Sequence, residues 1–139
     1  MSSTPDPFLG TWKLNPEKSR FDPNHRPSEA RMSWEIDTEG HYVMTAEGMN
    51  AKGEKVVERP QRFILDGRPH PVPDFPGLAA VATRPDARTI RCEVRREDGS
   101  IVGEGTFVLS ADGTALTATN AGYDAQLRQF QQSTVWDRG

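Results

Sequence analysis

The sequence predicts an all-β protein, a single antiparallel up-and-down β-barrel of about eight to ten strands with little or no helix. Asp-Gly pairs recur at Asp66-Gly67, Asp98-Gly99 and Asp112-Gly113. Such pairs suit hairpins because both central residues of a type I′ turn need positive φ. Between the turn signals lie stretches rich in Val, Ile, Thr and aromatics, and no window carries a helical apolar stripe. The registers set by two of these turns also agree on one apolar face.

In chain order the strand-like stretches are 8–14, 31–37, 41–49, 54–65, 78–84, 88–97, 100–110, 114–121 and 127–137. Thr38-Glu39-Gly40 and Ala51-Lys52-Gly53 read as slightly longer hairpin loops. Residues 15–30 (NPEKSRFDPNHRPSEA) are polar, contain three prolines and read as a long connection. Residues 68–77 (RPHPVPDFPG) carry Pro69, Pro71, Pro73 and Pro76, each without an N–H, which forbids a central strand. That segment is expected to cross or rim one end.

A two-residue turn at Asp98-Gly99 sets Val94 opposite Gly103, Cys92 opposite Gly105 and Ile90 opposite Phe107. One at Asp112-Gly113 sets Leu109 opposite Leu116, Phe107 opposite Ala118 and Gly105 opposite Asn120. Paired residues share a face. One face is therefore apolar through Ile90, Cys92, Val94, Phe107, Leu109, Leu116 and Ala118, while Arg91, Glu93, Arg95, Glu104 and Thr117 lie on the other. With no helix to cover it, the apolar face must close on itself as a barrel or, alternatively, as a sandwich. Gly103 and Gly105 on the inward face suit the sharp coiling of a small barrel.

The chain has 139 residues, enough for one domain over 1–139. It is 35% hydrophobic and 27% charged, with a net charge of −3. No apolar run is long enough to span a membrane, and the start, MSSTPDPF, lacks the basic and apolar regions of a secretory signal. Cys92 is the one cysteine, and His25, His41 and His70 show no metal-ligand spacing, so neither an internal disulfide nor a metal site is expected. A mildly acidic chain is a poor general binder of nucleic acid. The expectation is a cytoplasmic protein with no cofactor, no metal, no nucleic-acid partner and no membrane insertion; homodimerisation stays open.

The string Pro7-Phe8-Leu9-Gly10-Thr11-Trp12-Lys13-Leu14 resembles the first strand of the calycins, the lipocalin and fatty-acid-binding group, where a Gly-x-Trp opens the barrel. The wider pattern is similar to small bacterial lipocalin-like proteins. It comprises Gly10 to Asn15 with Lys18 and Ser19, the hairpin Val108 to Gly113, and the closing Trp136-Asp137-Arg138. The resemblance implies a calycin barrel. It also implies that Trp12 and Arg138 are structural, packing together at the closed end. In the fatty-acid-binding branch a last-strand Arg-x-Tyr pair holds the ligand carboxylate, and here Thr134 and Trp136 stand at those places. The haem-binding branch uses a late histidine, whereas the last histidine here is His70.

The expected function is binding of a small apolar or amphipathic molecule inside the barrel. Its lining is expected from Trp34, Tyr42, Met44, Phe63 and Cys92, continued by Phe107, Asn120, Phe130, Thr134 and Trp136. The rim would be His70, Asp74 and Phe75. With no cation expected on the inner face, neutral lipophiles should be preferred over acids. Arg84, Arg88, Arg91, Arg95 and Arg96 read as a solvated, salt-paired outer face. Two other classes remain. One is an enzyme using the cavity for isomerisation or cyclisation, with His70 and Asp74 as acid and base. The other is a barrel packed solid that serves as a structural or interaction module.

Overall fold

The computed structural model describes residues 7–20, 29–49, 52–57, 60–72, 75–123 and 129–138, the side chains of Tyr123 and Phe130 aside. These residues form eleven strands and no helix: β1 (Gly10–Arg20), β2 (Glu29–Ile36), β3 (Tyr42–Met49), β4 (Lys55–Val57), β5 (Gln61–Phe63), β6 (His70–Pro71), β7 (Leu78–Asp86), β8 (Thr89–Arg96), β9 (Ile101–Leu109), β10 (Ala115–Tyr123) and β11 (Gln129–Arg138). All belong to one antiparallel sheet in the order β4-β3-β2-β1-β11-β10-β9-β8-β7-β6, with β5 also paired to β3. β4 and β5 are two pieces of one arm along β3, so eleven strands make ten arms. The all-β up-and-down architecture is as the sequence predicts.

Both predicted registers are present, by routes the sequence hides. At Asp98-Gly99 the loop has three residues, since Arg96 N–H donates to Ser100 O and Gly99 takes φ +87°. That is a type I turn closed by a left-handed glycine, and it moves the register by one. A bulge between Val94 and Arg95 moves it back, restoring Val94 opposite Gly103 and Cys92 opposite Gly105. At Asp112-Gly113 the loop runs from Ser110 to Ala115 and keeps the parity of a two-residue turn.

Two expectations need correction. Residues 15–20 belong to β1 rather than to a connection. The ladder to β11 jumps from Asn15–Val135 to Arg20–Ser133, and this bulge accommodates Pro16. Side chains replace the missing ladder bonds. Val135 N–H donates to Ser19 Oγ at 2.8 Å, which in turn donates to Asn15 O at 2.7 Å. Asn15 Oδ1 accepts from Lys18 N–H, and its amide donates to Asp137.

The second correction concerns Asp66-Gly67. It turns the chain, with Gly67 at φ +71°, but makes no hairpin, because β5 pairs with β3 while the chain after the turn runs along β7. Val72 N–H donates to Leu78 O, so in this arm the N–H groups of residues 69 and 71 would face back toward β5. Both are prolines. This arm therefore offers the seam carbonyl acceptors but no N–H donor at residues 69 and 71. The seam is bridged by the side-chain contact of Arg84 of β7 with Tyr42 of β3, while the bond from Gly67 N–H to Ala82 O at 3.0 Å ties the turn to β7.

One end of the curled sheet is packed. Phe8, Trp12, Trp34, Ile90 and Leu116 are fully buried there. Arg138 lies over the Trp12 ring at 4.1 Å and donates to the carbonyls of Leu9, Pro7 and Gly113. A side chain at Gly10 would meet this guanidinium at 3.3 Å, and Gly10 holds φ +120°. The Gly-x-Trp string is thus a socket for Arg138.

Candidate functional site

The inner face can be followed across strands in rows, from the packed end toward the opposite end. The first row is Leu14, Trp136, Leu116 and Leu109. The second is Thr134, Ala118, Phe107 and Ile90. Every member of these two rows is buried. The third row is Gln132, Asn120, Gly105, Cys92 and Ala82. The fourth runs through Gly122, Gly103, Val94, Ala80 and His70. Apart from Ala82, the third and fourth rows face inward yet remain partly open to solvent. Side-chain size falls along this series from Leu and Trp to Gly. These inward groups, which solvent still reaches, stand above the second row, which forms a floor beneath them.

The floor is aromatic. Trp34 stacks on Phe63 at 5.3 Å and meets Phe107 edge-on at 5.1 Å, while Phe8 leans on Trp34 at 5.6 Å. Of the residues expected to line a cavity, Trp34, Met44, Phe63, Phe107, Thr134 and Trp136 are buried in or beside this floor. Cys92 and Asn120 lie in the third row above it and are half-buried. Tyr42 lies at the seam. The Phe130 side chain and Asp74 lie outside the described residues. Phe75 is half exposed.

The polar atoms of the site are unevenly engaged. Trp136 Nε1–H donates to Thr134 Oγ1 at 2.9 Å, and that hydroxyl donates to Ala118 O at 3.3 Å. Thr134 and Trp136 thereby satisfy each other. Trp34 Nε1 and Gln132 Oε1 are buried without a hydrogen-bond partner among the described residues. Burial pushes the Cys92 thiol up, so it stays protonated.

His70 is engaged by Asp66, its Nε2 standing 3.0 Å from both carboxylate oxygens. The Arg68 N–H and the His70 side chain hold Asp66 below its ordinary pKa. This partner was not expected, although spacing of four across an Asp-Gly turn was its signal. Arg84 corrects the reading of the basic cluster. Arg95 does pair with Glu93 at the surface. Arg84, however, continues the inward alternation of Ala80 and Ala82, and its guanidinium packs over Phe8 at 5.2 Å and donates to Tyr42 Oη and Ala87 O. A cation does reach the inner side, at the packed end beneath the aromatic floor. An open groove of ≈ 360 Å³ lies on the outer side of β1–β3, lined by Thr11, Arg31, Ser33, Thr45 and Glu47 among others.

Neither a family model nor a curated protein matches the chain. Solved structures do. A point variant of the fluorescent protein UnaG superposes with a TM-score of 0.64 at 10% identity, covering 98% of this chain and 99% of that one. Wild-type UnaG gives 0.59 at 12% identity over 95% and 97%. As-p18, an extracellular fatty acid binding protein, gives 0.54 at 11% identity over 99% and 100%. The fold is that of the calycin barrels. At these identities the likeness concerns the calycin architecture alone. Within it the seam and the Gly-x-Trp socket are built by this chain's own residues.

Proposed function

We propose that this calycin barrel binds one small apolar or amphipathic molecule, uncharged where it enters the barrel, in the hollow above Trp34, Phe63 and Phe107. The observation that carries the reading is the taper of the inner face, from buried Leu and Trp to solvent-touched Gly103, Gly105 and Gly122. Inward glycines withhold side-chain volume from that half of the barrel, and a Cβ at Gly103 would meet nothing nearer than 3.7 Å. One solved structure of this fold is a fatty acid binding protein, which supports a lipophilic ligand. The mutual bond of Thr134 and Trp136 supports a ligand without a carboxylate, because an unpaired buried charge costs several kcal/mol.

Gly103 offers the test. A Cβ there would meet nothing nearer than Ala121 O at 3.7 Å, and its φ is not left-handed. Gly103→Leu should therefore fold while projecting its side chain into the hollow. The neutral dye Nile red should bind the wild type saturably and the variant at least about tenfold more weakly, a difference of about 1.4 kcal/mol. Equal binding by both proteins, or no saturable binding by the wild type, refutes the reading.

A further inference from the structure

We propose that Asn120 and Gln132 act together as an amide clamp selecting a ligand whose polar group both donates and accepts hydrogen bonds, a neutral carboxamide or lactam. The inference rests on the ligand-binding reading above and names the chemistry it would recognise.

The two residues are directly paired across β10 and β11, so their side chains leave the same face as neighbours in the third row. They form a pair of primary amides at the boundary between the aromatic floor and the open half. Gln132 Oε1 is buried without a hydrogen-bond partner among the described residues. Asn120 Oδ1 lies 3.0 Å from the point that a Cβ of Gly105 would occupy. The absence of a side chain at Gly105 is what lets the Asn120 amide lie against β9.

The hydroxyl two residues along β11 is already engaged. The Thr134 hydroxyl donates to Ala118 O and accepts from Trp136 Nε1–H. A buried acceptor without a donor is costly, and a ligand that brings an N–H removes that cost on binding. An acceptor-only ligand leaves it in place. The asymmetry distinguishes a carboxamide from its N,N-dimethyl derivative, which keeps the carbonyl and loses both donors. A carboxamide also matches the neighbouring amides as donor to one and acceptor to the other.

The experiment is displacement of Nile red from the wild-type protein by lauramide, N,N-dimethyllauramide and methyl laurate, which share one tail. Lauramide should compete about tenfold better than either donor-free compound, about 1.4 kcal/mol. In Gln132→Met the three should compete within about twofold, with the ester unchanged. Equal competition by all three in the wild type overturns the clamp and leaves ligand binding standing. The same preference persisting undiminished in Gln132→Met overturns the assignment to Gln132. The wild-type comparison needs no substitution, so a variant that fails to fold does not protect the proposal. Loss of Nile red binding altogether refutes the ligand-binding reading and the clamp with it.

Discussion

Arg138→Ala should remove a substantial part of the stability of the packed end while leaving the hollow untouched. The Arg138 guanidinium lies 4.1 Å from the ring centre of Trp12, which is fully buried. Its three nitrogens donate to Leu9 O at 3.0 Å, Pro7 O at 2.5 Å and Gly113 O at 3.1 Å. These contacts tie the entry to β1, the end of β11 and the β9–β10 turn together. An exposed cation–π contact contributes about 0.5–1 kcal/mol. Hydrogen bonds from a charged donor contribute more than neutral ones, but Arg138 keeps an exposed edge and solvent screening cuts each to a fraction. The sum is about 2–3 kcal/mol. Urea unfolding followed by tryptophan fluorescence reads it as a lower midpoint at unchanged slope, a shift of about 1–2 M for a slope near 1.5 kcal/mol/M. Arg138→Lys keeps the charge but not the planar fork, and should recover less than half of the loss. Nile red affinity should move by less than about twofold, because the perturbation lies beneath the floor. A loss under about 0.5 kcal/mol, or full rescue by lysine, would show that the socket is incidental.

Ser19→Ala strips Val135 N–H of its acceptor inside the β1 bulge and should cost about 1–2 kcal/mol in the same urea assay; no change would mean the bulge closes without the hydroxyl. The second concerns acid. The hydroxyls of Ser110 and Thr114 and the Thr114 N–H hold Asp112 from 3.8 down to about 2, and turn hydrogen bonds likewise lower Asp37, Asp66, Asp86 and Asp98. A carboxylate with a folded pKa below its unfolded one adds stability that is complete above the unfolded value and is lost as pH falls through the folded one. The urea midpoint should therefore fall between about pH 4 and pH 2, less steeply in Asp112→Asn, and a flat profile there would contradict the turn geometry.

Most of the inner face was legible in the sequence because a strand has a period of two and the Asp-Gly turns anchor its phase. The 98–99 turn shows why such a reading survives local error. Its loop is one residue longer than expected, and the bulge at Val94–Arg95 cancels the difference before Cys92 and Gly105 are reached. The segment 15–20 was illegible because its ladder partners are side chains. A polar string with a proline carries no strand period even where Ser19 Oγ stands in for a backbone group. Arg84 was placed on the outer face by its charge, although the alternation through Ala80 and Ala82 already pointed it inward. What makes that position tolerable is the pair of rings, Phe8 and Tyr42, brought from strands far away in sequence. Similarly, the partner of His70 was sought at Asp74, while the turn at Gly67 folds Asp66 back onto it.

The seam follows from the same logic of donors. An open sheet edge is a hazard because its unpaired N–H and C=O groups can template another strand. In the arm after Asp66-Gly67, the positions whose N–H would face the neighbouring arm are Pro69 and Pro71. From that side the edge can accept at those positions but not donate, which removes half of the ladder bonds that β5 or a strand of another chain could make there. Closure falls instead to side-chain contacts. Those contacts lie at the levels of the packed end and the floor: Arg84 on Tyr42, and Phe63 on Phe107 at 5.9 Å. Above them the inner face carries Gly105, Gly103 and Gly122 among Gln132, Asn120, Cys92, Val94, Ala80 and His70. The sheet is thus held together where bulky side chains fill it, and its two edges are least constrained beside the hollow. Substituting a residue with an N–H at Pro69 or Pro71 would restore a donor to the seam. The proline pattern and the glycine pattern consequently act on the same half of the barrel, one by withholding ladder bonds and the other by withholding side-chain volume.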